Sequence, residues 1–259
     1  MEKDEIYDRI SAYWSDQLNN EIYLAGYPGV ARGSREYFDI IRAARDKYLY
    51  YFDAVTAFLG RDGSGRTLLE VGCGMGTDLL KFAELGYDVT GVDLAGEHIE
   101  LARACFETYG RAAHLRLGNA EALDFEEAIF DRVYSFGVLH HTPNTEKALR
   151  EVHRVLKPGG RAFVMLYHRD SLNNLVHALL RVSFENPKGS RAVAADAPVT
   201  QRFSRAEVRR MTRCFSSVRV DTEYLYGVGY GRLFDWTPAF LYRPLSKLIG
   251  WHLLVFLQK

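Results

Sequence analysis

The chain has 259 residues and a mass of 29.5 kDa, which suits one large domain or one with a modest appendage. Its 33 Lys and Arg balance 33 Asp and Glu, and 47% of residues are hydrophobic, which excludes a disordered or collagen-like chain and a strongly basic nucleic-acid binder. Three scattered cysteines (Cys73, Cys105, Cys214) supply neither a disulfide framework nor a Cys-x-x-Cys metal site. No run reaches the roughly 18 apolar residues of a membrane span. The acidic N-terminus lacks the blocks of a signal peptide, so the expected location is cytoplasmic.

Residues 1–62 read as helical and hold twelve of the chain's 34 aromatic residues. They are expected either to pack on a core as extra helices or to cap a pocket for an apolar or aromatic substrate. From 66 onward strands alternate with helices. Thr67–Val71 is a short apolar run ahead of Gly72-Cys73-Gly74-Met75-Gly76. Leu79, Phe82 and Ala83 then recur at helical spacing and Gly86 closes the helix. Asp88–Asp93 reads as a second strand, and Ile99, Ala102 and Phe106 mark a helix that Gly110 can end in the left-handed conformation. His114–Leu117 and Asp131–Phe136 are a third and a fourth strand. Thr142-Pro143 supplies a helix N-cap and first-turn proline, and Lys157-Pro-Gly-Gly160 stops that helix before a fifth strand over Ala162–Tyr167. Alternation at this spacing implies βαβ units and a parallel sheet.

A short helix over Leu172–Val182 leads into a Pro-, Gly- and Ala-rich loop. Residues 181–219 carry nine Lys or Arg against three acids, read as a solvated face rather than an RNA or lipid surface. Ser204-Arg-Ala-Glu207 is a capping box. Val218–Tyr224 and Trp251–Leu257 read as the last two strands. The segment between them is too long for a hairpin loop, and its aromatics suit core and pocket wall, with a membrane-surface patch or a homo-oligomer contact kept open.

The glycine turn carries the strongest signal. Glycines after a strand and before a helix let backbone approach a ligand that a Cβ would push away. A dinucleotide fingerprint wants a third Gly where Thr77 stands, which disfavours NAD or FAD. Asp93 ends the next strand, where an acid can take both hydroxyls of a ribose. Glu70 beside the turn favours a cationic ligand over a phosphate.

Leu68–Asp78, Val89–Asp93, Gly118-Asn-Ala-Glu121, and Phe130–Pro143 through Lys157–Gly160 together resemble class I S-adenosylmethionine-dependent methyltransferases. More narrowly they resemble the branch that includes the ubiquinone/menaquinone C-methyltransferases. The resemblance covers about 66–167 and implies a Rossmann-like, doubly wound α/β fold with a seven-stranded sheet, its last strand antiparallel. A helical N-terminal cap over 1–62, a cofactor-binding core over 63–169 and the rest of the sheet over 170–259 would follow. Substrate-side insertions would fall at 170–203 and 225–249. The cofactor implied is S-adenosyl-L-methionine. Gly72, Cys73, Gly74 and Gly76 would form the turn around it, Glu70 would hold the amino-acid end, and Asp93, followed by Leu94, the ribose. Asn119 and Ala120 would meet the adenine and Ser135 the methionine end. Asn119 departs from the family's usual Asp, though its side-chain oxygen can still accept.

Since the cofactor activates its own methyl group, the protein mainly aligns an acceptor, and a hydroxyl or amine acceptor also needs a base. His140 and His141, after the fourth strand, are the candidates, with His168 behind them. The eight histidines show no metal-ligand spacing. Ser135-Phe-Gly-Val138 lacks the Asp/Asn-Pro-Pro-aromatic signature of methyltransferases acting on base or glutamine amino groups, which counts against nucleic acid. The expected activity is methyl transfer to oxygen, nitrogen or carbon of a small apolar or aromatic molecule. The alternative is a cofactor-binding or non-methylating protein on the same fold.

Overall fold

In the computed structural model, which describes residues 2–16, 19–180, 197–225 and 236–259, seven strands form one sheet in the order β3-β2-β1-β4-β5-β7-β6. β1 (Thr67–Val71), β2 (Asp88–Asp93), β3 (His114–Leu117), β4 (Phe130–Phe136) and β5 (Leu156–Tyr167) are parallel. β7 (His252–Gln258) inserts antiparallel between β5 and β6 (Ser217–Glu223). The fold is therefore the Rossmann-like doubly wound sheet with an antiparallel last strand. Its order reverses between β1 and β4, and ligands of such sheets sit at that switch, beyond the strands' C-terminal ends.

Side chains alternate along each strand and so feed two cores. Leu68, Phe163, Leu254 and Phe256 pack on one face of the sheet, while Leu69, Val164, Leu253 and Val255 pack on the other. The first face is covered by α2 (Arg35–Tyr48), α3 (Phe52–Leu59), α4 (Thr77–Glu84) and α5 (Gly96–Thr108). The second is covered by α6 (Thr145–Val155) and α8 (Arg205–Met211). Tyr37, Phe38, Ile41, Val55 and Leu59 are fully buried on the first face, so α2 and α3 build the main core. The remaining N-terminal helix, α1 (Glu2–Asp16), instead lies along the C-terminal strand ends. Its Ser11 hydroxyl donates to the Leu94 carbonyl at 3.0 Å.

Gly110 ends α5 at φ 61°, with the Arg111 amide donating to the Phe106 carbonyl. The Ser204 capping box opens α8. Two boundaries differ from the sequence reading. Asn144, not Thr142, caps α6, because its side chain accepts from the Lys147 amide while the Thr142 hydroxyl donates to the Leu139 carbonyl. β5 begins at Leu156, which pairs with Phe130; the register then slips across Lys157–Gly160 before Arg161 pairs with Arg132. The prolyl-glycyl run makes an irregularity within the strand instead of a loop before it.

α7 (Leu172–Leu180) begins where expected, and its predicted end at Val182 lies outside the described residues. So do most of the following loop and Tyr226, Gly227, Gly229, Tyr230, Gly231 and Phe234 of the C-terminal insertion. α9 (Ala239–Ile249) buries Tyr242 and leaves Phe240, Leu241, Leu245 and Leu248 exposed.

Candidate cofactor and substrate site

A cavity of about 300 Å³ opens at the switch point. Its floor is the turn between β1 and α4. The Gly72 and Cys73 amides donate to the Val92 carbonyl, which folds the turn back over β2. Gly74, at φ 52°, has open space where a Cβ would stand, so bare backbone faces the cavity. The other two glycines serve packing. A Cβ on Gly72 would strike Val138 at 2.2 Å, and one on Gly76 would press on Ala102 of α5 at 3.1 Å. Gly72, Cys73 and Gly74 line the cavity, and Gly76 stands behind it. Burial pushes the Cys73 thiol well up, which keeps it an inert wall.

Asp93 hooks the turn from β2. Its carboxylate accepts from the Gly74 amide at 2.9 Å and the Ala95 amide at 3.0 Å, with His98 Nδ1 3.1 Å away. Burial pushes its pKa up, but His98 and the two amides outweigh this and hold it below the usual range. An ionised carboxylate with about four lone-pair positions keeps room for a further donor.

Glu70 differs. It is 3% exposed, and its Oε2 has no hydrogen-bond partner. Burial, then the charge of Asp78, pushes its carboxyl well above the usual range. Native structures seldom leave a buried acceptor unmatched, so this atom marks a place for a donor from outside the chain. Beside it Arg45 reaches in from α2. Its Nε donates to Asp78 Oδ1 at 2.8 Å, a second nitrogen donates to Oδ2, and the Tyr134 hydroxyl adds a 2.8 Å bond to Oδ2. Burial pushes the Asp78 carboxyl up, but Arg45 outweighs it and holds it low. The cavity therefore carries an unmatched carboxyl beside a fixed guanidinium. An α-amino acid's ammonium and carboxylate fit that pair.

Asn119 and Ala120 also line the cavity. The Asn119 side-chain oxygen accepts from the Glu121 amide at 2.9 Å, leaving one lone pair for a ligand. Leu94 lines the cavity as well. Ser135 does not: it is fully buried, and its hydroxyl donates to the Val71 carbonyl, bracing β4 against β1.

A further part of the lining, beginning at Phe136, whose ring lies 5.3 Å from the Arg45 guanidinium, is aromatic. Trp14, Phe136, Tyr167 and Tyr224 form it together with His141 and His252. His141 Nδ1 lies 2.9 Å from the Val199 carbonyl, and Trp14 meets the ring edge-on at 4.9 Å. His140 is fully buried against Tyr167, 3.8 Å between ring centroids, and does not line the cavity. Burial, then His141, pushes its pKa well down. His168 straps β5 to β7 through Nδ1, 2.9 Å from the Gly250 carbonyl, and also stays off the cavity.

Among the described residues, the stretches 170–203 and 225–249 contribute no lining side chain. Val199 and Gln201 act from behind instead, on the His141 ring and the His140 carbonyl. The sequence reading passed over Arg45 and His252, for neither belongs to a local motif. Their partners Asp78 and Tyr51 lie 33 and 201 positions away. The one available signal was an Arg in an otherwise apolar helical face of α2, beside Phe38 and Ile41.

Residues 69–164 match the family model described as a methyltransferase domain. A ubiquinone biosynthesis O-methyltransferase of Paramagnetospirillum magneticum is 38% identical over 110 residues, 40% of this chain and 44% of that protein. A sterol 4-C-methyltransferase of Caenorhabditis elegans is 34% identical over 98 residues, 37% of this chain and 29% of that protein. A malonyl-[acyl-carrier protein] O-methyltransferase of Erwinia pyrifoliae is 28% identical over 182 residues, 68% and 64% of the two chains. The chain thus spans less than two thirds of each of these relatives. A solved structure from Thermotoga maritima, described as a methyltransferase and possible histamine N-methyltransferase, shares the fold at 18% identity, with a TM-score of 0.62 over 96% of this chain and 99% of that one. Residues 69–164 are a methyltransferase domain, and the whole chain is similar in fold to class I S-adenosylmethionine-dependent methyltransferases.

Proposed function

We propose that this chain transfers the methyl group of S-adenosyl-L-methionine to a hydroxyl of a small, neutral, apolar or aromatic molecule. The observation that carries this reading is the unmatched Glu70 Oε2, set beside Arg45 and across the open Gly74 turn from ionised Asp93. Glu70 and Arg45 would hold the amino-acid end of the cofactor and Asp93 its ribose. Asn119, Ala120 and Leu94 would flank the adenosine, with Gly72, Cys73 and Gly74 as the backbone floor. When bound, the cofactor supplies a methyl group already activated on a sulfonium.

The aromatic lining then has to orient the acceptor, exclude water and take a proton. Orientation alone can account for about 7–11 kcal/mol of such a barrier. A carbonyl oxygen only accepts, so His141 Nδ1 carries the proton toward Val199 and Nε2 holds the lone pair. His141 would take the proton of the acceptor's hydroxyl at Nε2 as that oxygen is methylated. A base so placed contributes roughly 10²–10⁴-fold. We assign the protein to the cytoplasm. No described helix is long and apolar enough to cross a membrane, and its cysteines are free thiols, as a reducing compartment keeps them.

Incubation with methyl-labelled cofactor and a fractionated cell extract should place label in an apolar small-molecule fraction. Cofactor binding without label transfer to any fraction would leave a binding protein. In calorimetry Asp93→Ala should weaken cofactor binding by about 1.5–3 kcal/mol, the worth of hydrogen bonds to a charged group. Unchanged affinity would take Asp93 out of the site.

A further inference from the structure

His252 opens β7, belongs to the aromatic lining of the cavity, and is 7% exposed. Its Nδ1 lies 2.6 Å from the Tyr51 hydroxyl. Tyr51 comes from the N-terminal edge of α3 and is itself buried, and that contact is its hydroxyl's one hydrogen bond among the described residues. A buried hydroxyl that received a bond from Nδ1–H would keep its own proton without an acceptor. The satisfied arrangement is the reverse: Tyr51 donates, and Nδ1 accepts. A neutral imidazole has one N–H, which then sits on Nε2. Burial, then the Arg45 charge, pushes the His252 pKa down to about 3, so the ring is neutral at physiological pH.

The ring is also fixed in angle. Tyr224 stacks on it, 4.2 Å between centroids and 9° between planes. Tyr224 holds φ at 66°, a left-handed conformation that a bulky residue adopts only when its surroundings impose it. Its amide donates to the Tyr50 hydroxyl, and its carbonyl accepts from Trp251, one residue before His252. Backbone strain is thus spent on laying one aromatic ring flat on the imidazole.

His141 and His252 therefore stand on the wall of one cavity in opposite tautomers, the first with a lone pair on Nε2 and the second with an N–H there. The acidic residues lining the cavity are Glu70, Asp78 and Asp93, and the charge that reaches the aromatic residues is that of Arg45, whose guanidinium lies 5.3 Å from the Phe136 ring and acts on His252, which disfavours a cationic acceptor there. We propose that His252, set by Tyr51 and Tyr224, is a positioning donor that selects a neutral aromatic acceptor carrying a carbonyl or ether oxygen next to the hydroxyl offered to His141. This rests on the methyl-transfer reading above, from which its test is separable.

Nitrogen-15 labelling of the histidines in the full chain, with His141→Gln and His252→Gln to assign the signals, reads the tautomers directly and without cofactor. His252 should show a protonated Nε2 and an unprotonated Nδ1 from pH 5 to 8, His141 should carry a proton on Nδ1, and Tyr51→Phe should disturb His252 alone. A protonated Nδ1 on His252, or titration near pH 6.5, overturns the proposal. Binding of 2-methoxyphenol and 4-methoxyphenol is then compared on protein loaded with S-adenosylhomocysteine. The 2-isomer should bind at least tenfold more tightly. That ratio should fall to about one in His252→Phe and survive in His252→Gln, whose amide keeps a donor. Equal binding by the unaltered chain, or an unchanged ratio in His252→Phe, also overturns it. Failure of S-adenosylhomocysteine to bind would defeat the methyl-transfer reading while leaving the tautomer result intact.

Discussion

Glu70 is where a pH measurement meets the proposed cofactor site. A carboxyl raised by burial is protonated over part of the range where an ordinary Glu is ionised. A cationic group brought to Oε2 would favour the carboxylate and expel that proton. Cofactor binding is therefore expected to release protons, and affinity to climb with pH between the ordinary Glu value and the raised one. Calorimetry in buffers of different ionisation enthalpy reads this directly, and Glu70→Gln should remove the buffer dependence. The folding linkage has the same origin and the opposite sense. The raised pKa contributes stability that is fully present below the unfolded-state value and is lost as pH rises through the folded one. His252 acts oppositely: held neutral with a pKa of about 3, it lets the unfolded chain alone take up its proton as pH falls below about 6.5. The types and spacing of Glu70, Gly72, Gly74 and Asp93 were readable in order along the chain, because one βαβ unit brings them together. Arg45 and His252 were not, since three-dimensional packing alone gives them their partners.

At the scale of elements, α1 is held over the cavity by a few polar contacts. The Tyr7 hydroxyl donates to Glu121 Oε2 at 2.8 Å, and the other oxygen of that carboxylate accepts from the Asn144 amide at the start of α6. With Ser11 on the Leu94 carbonyl and Trp14 against His141, the helix touches both the Leu94 side of the cavity and its aromatic lining. Tyr7→Phe removes one part-buried bond worth about 1 kcal/mol. It should raise the cofactor dissociation constant about fivefold while barely shifting the melting temperature, as fluorescence titration and calorimetry would show. Repeating βα spacing made the central elements legible to within a residue or two, as β2, β3 and α5 illustrate. Caps were less so: Thr142-Pro143 and Asn144 both have side chains suited to starting a helix, and only the bond from the Lys147 amide decides between them. The run Lys157–Gly160 looked like a loop because Pro and Gly weaken strands generally. Its neighbour β4 tolerates the irregularity through a slipped register.

Across the whole molecule the N-terminal helices are joined to the sheet by charge as well as by apolar packing. Arg45 of α2, Asp78 of α4 and Tyr134 of β4 form one buried network. Removing one member of such a pair strands the other charge, so Arg45→Met should cost about 3–5 kcal/mol in urea unfolding. The double change with Asp78→Leu should recover much of that loss. The seven-stranded outline followed from a family resemblance covering two fifths of the sequence, and the outer helices did not, because their aromatics suited a core first and a lid as well.

The insertion of β7 between β5 and β6 has an effect on assembly. Neither of those strands can bond to the other directly, so a chain halted before His252 presents two raw edges, one of them β5 in the middle of the sheet. Such a fragment is prone to sticking to its own kind, and it also lacks the imidazole that β7 delivers to the cavity. The step that seals the fold is the same step that completes the aromatic wall of the cavity.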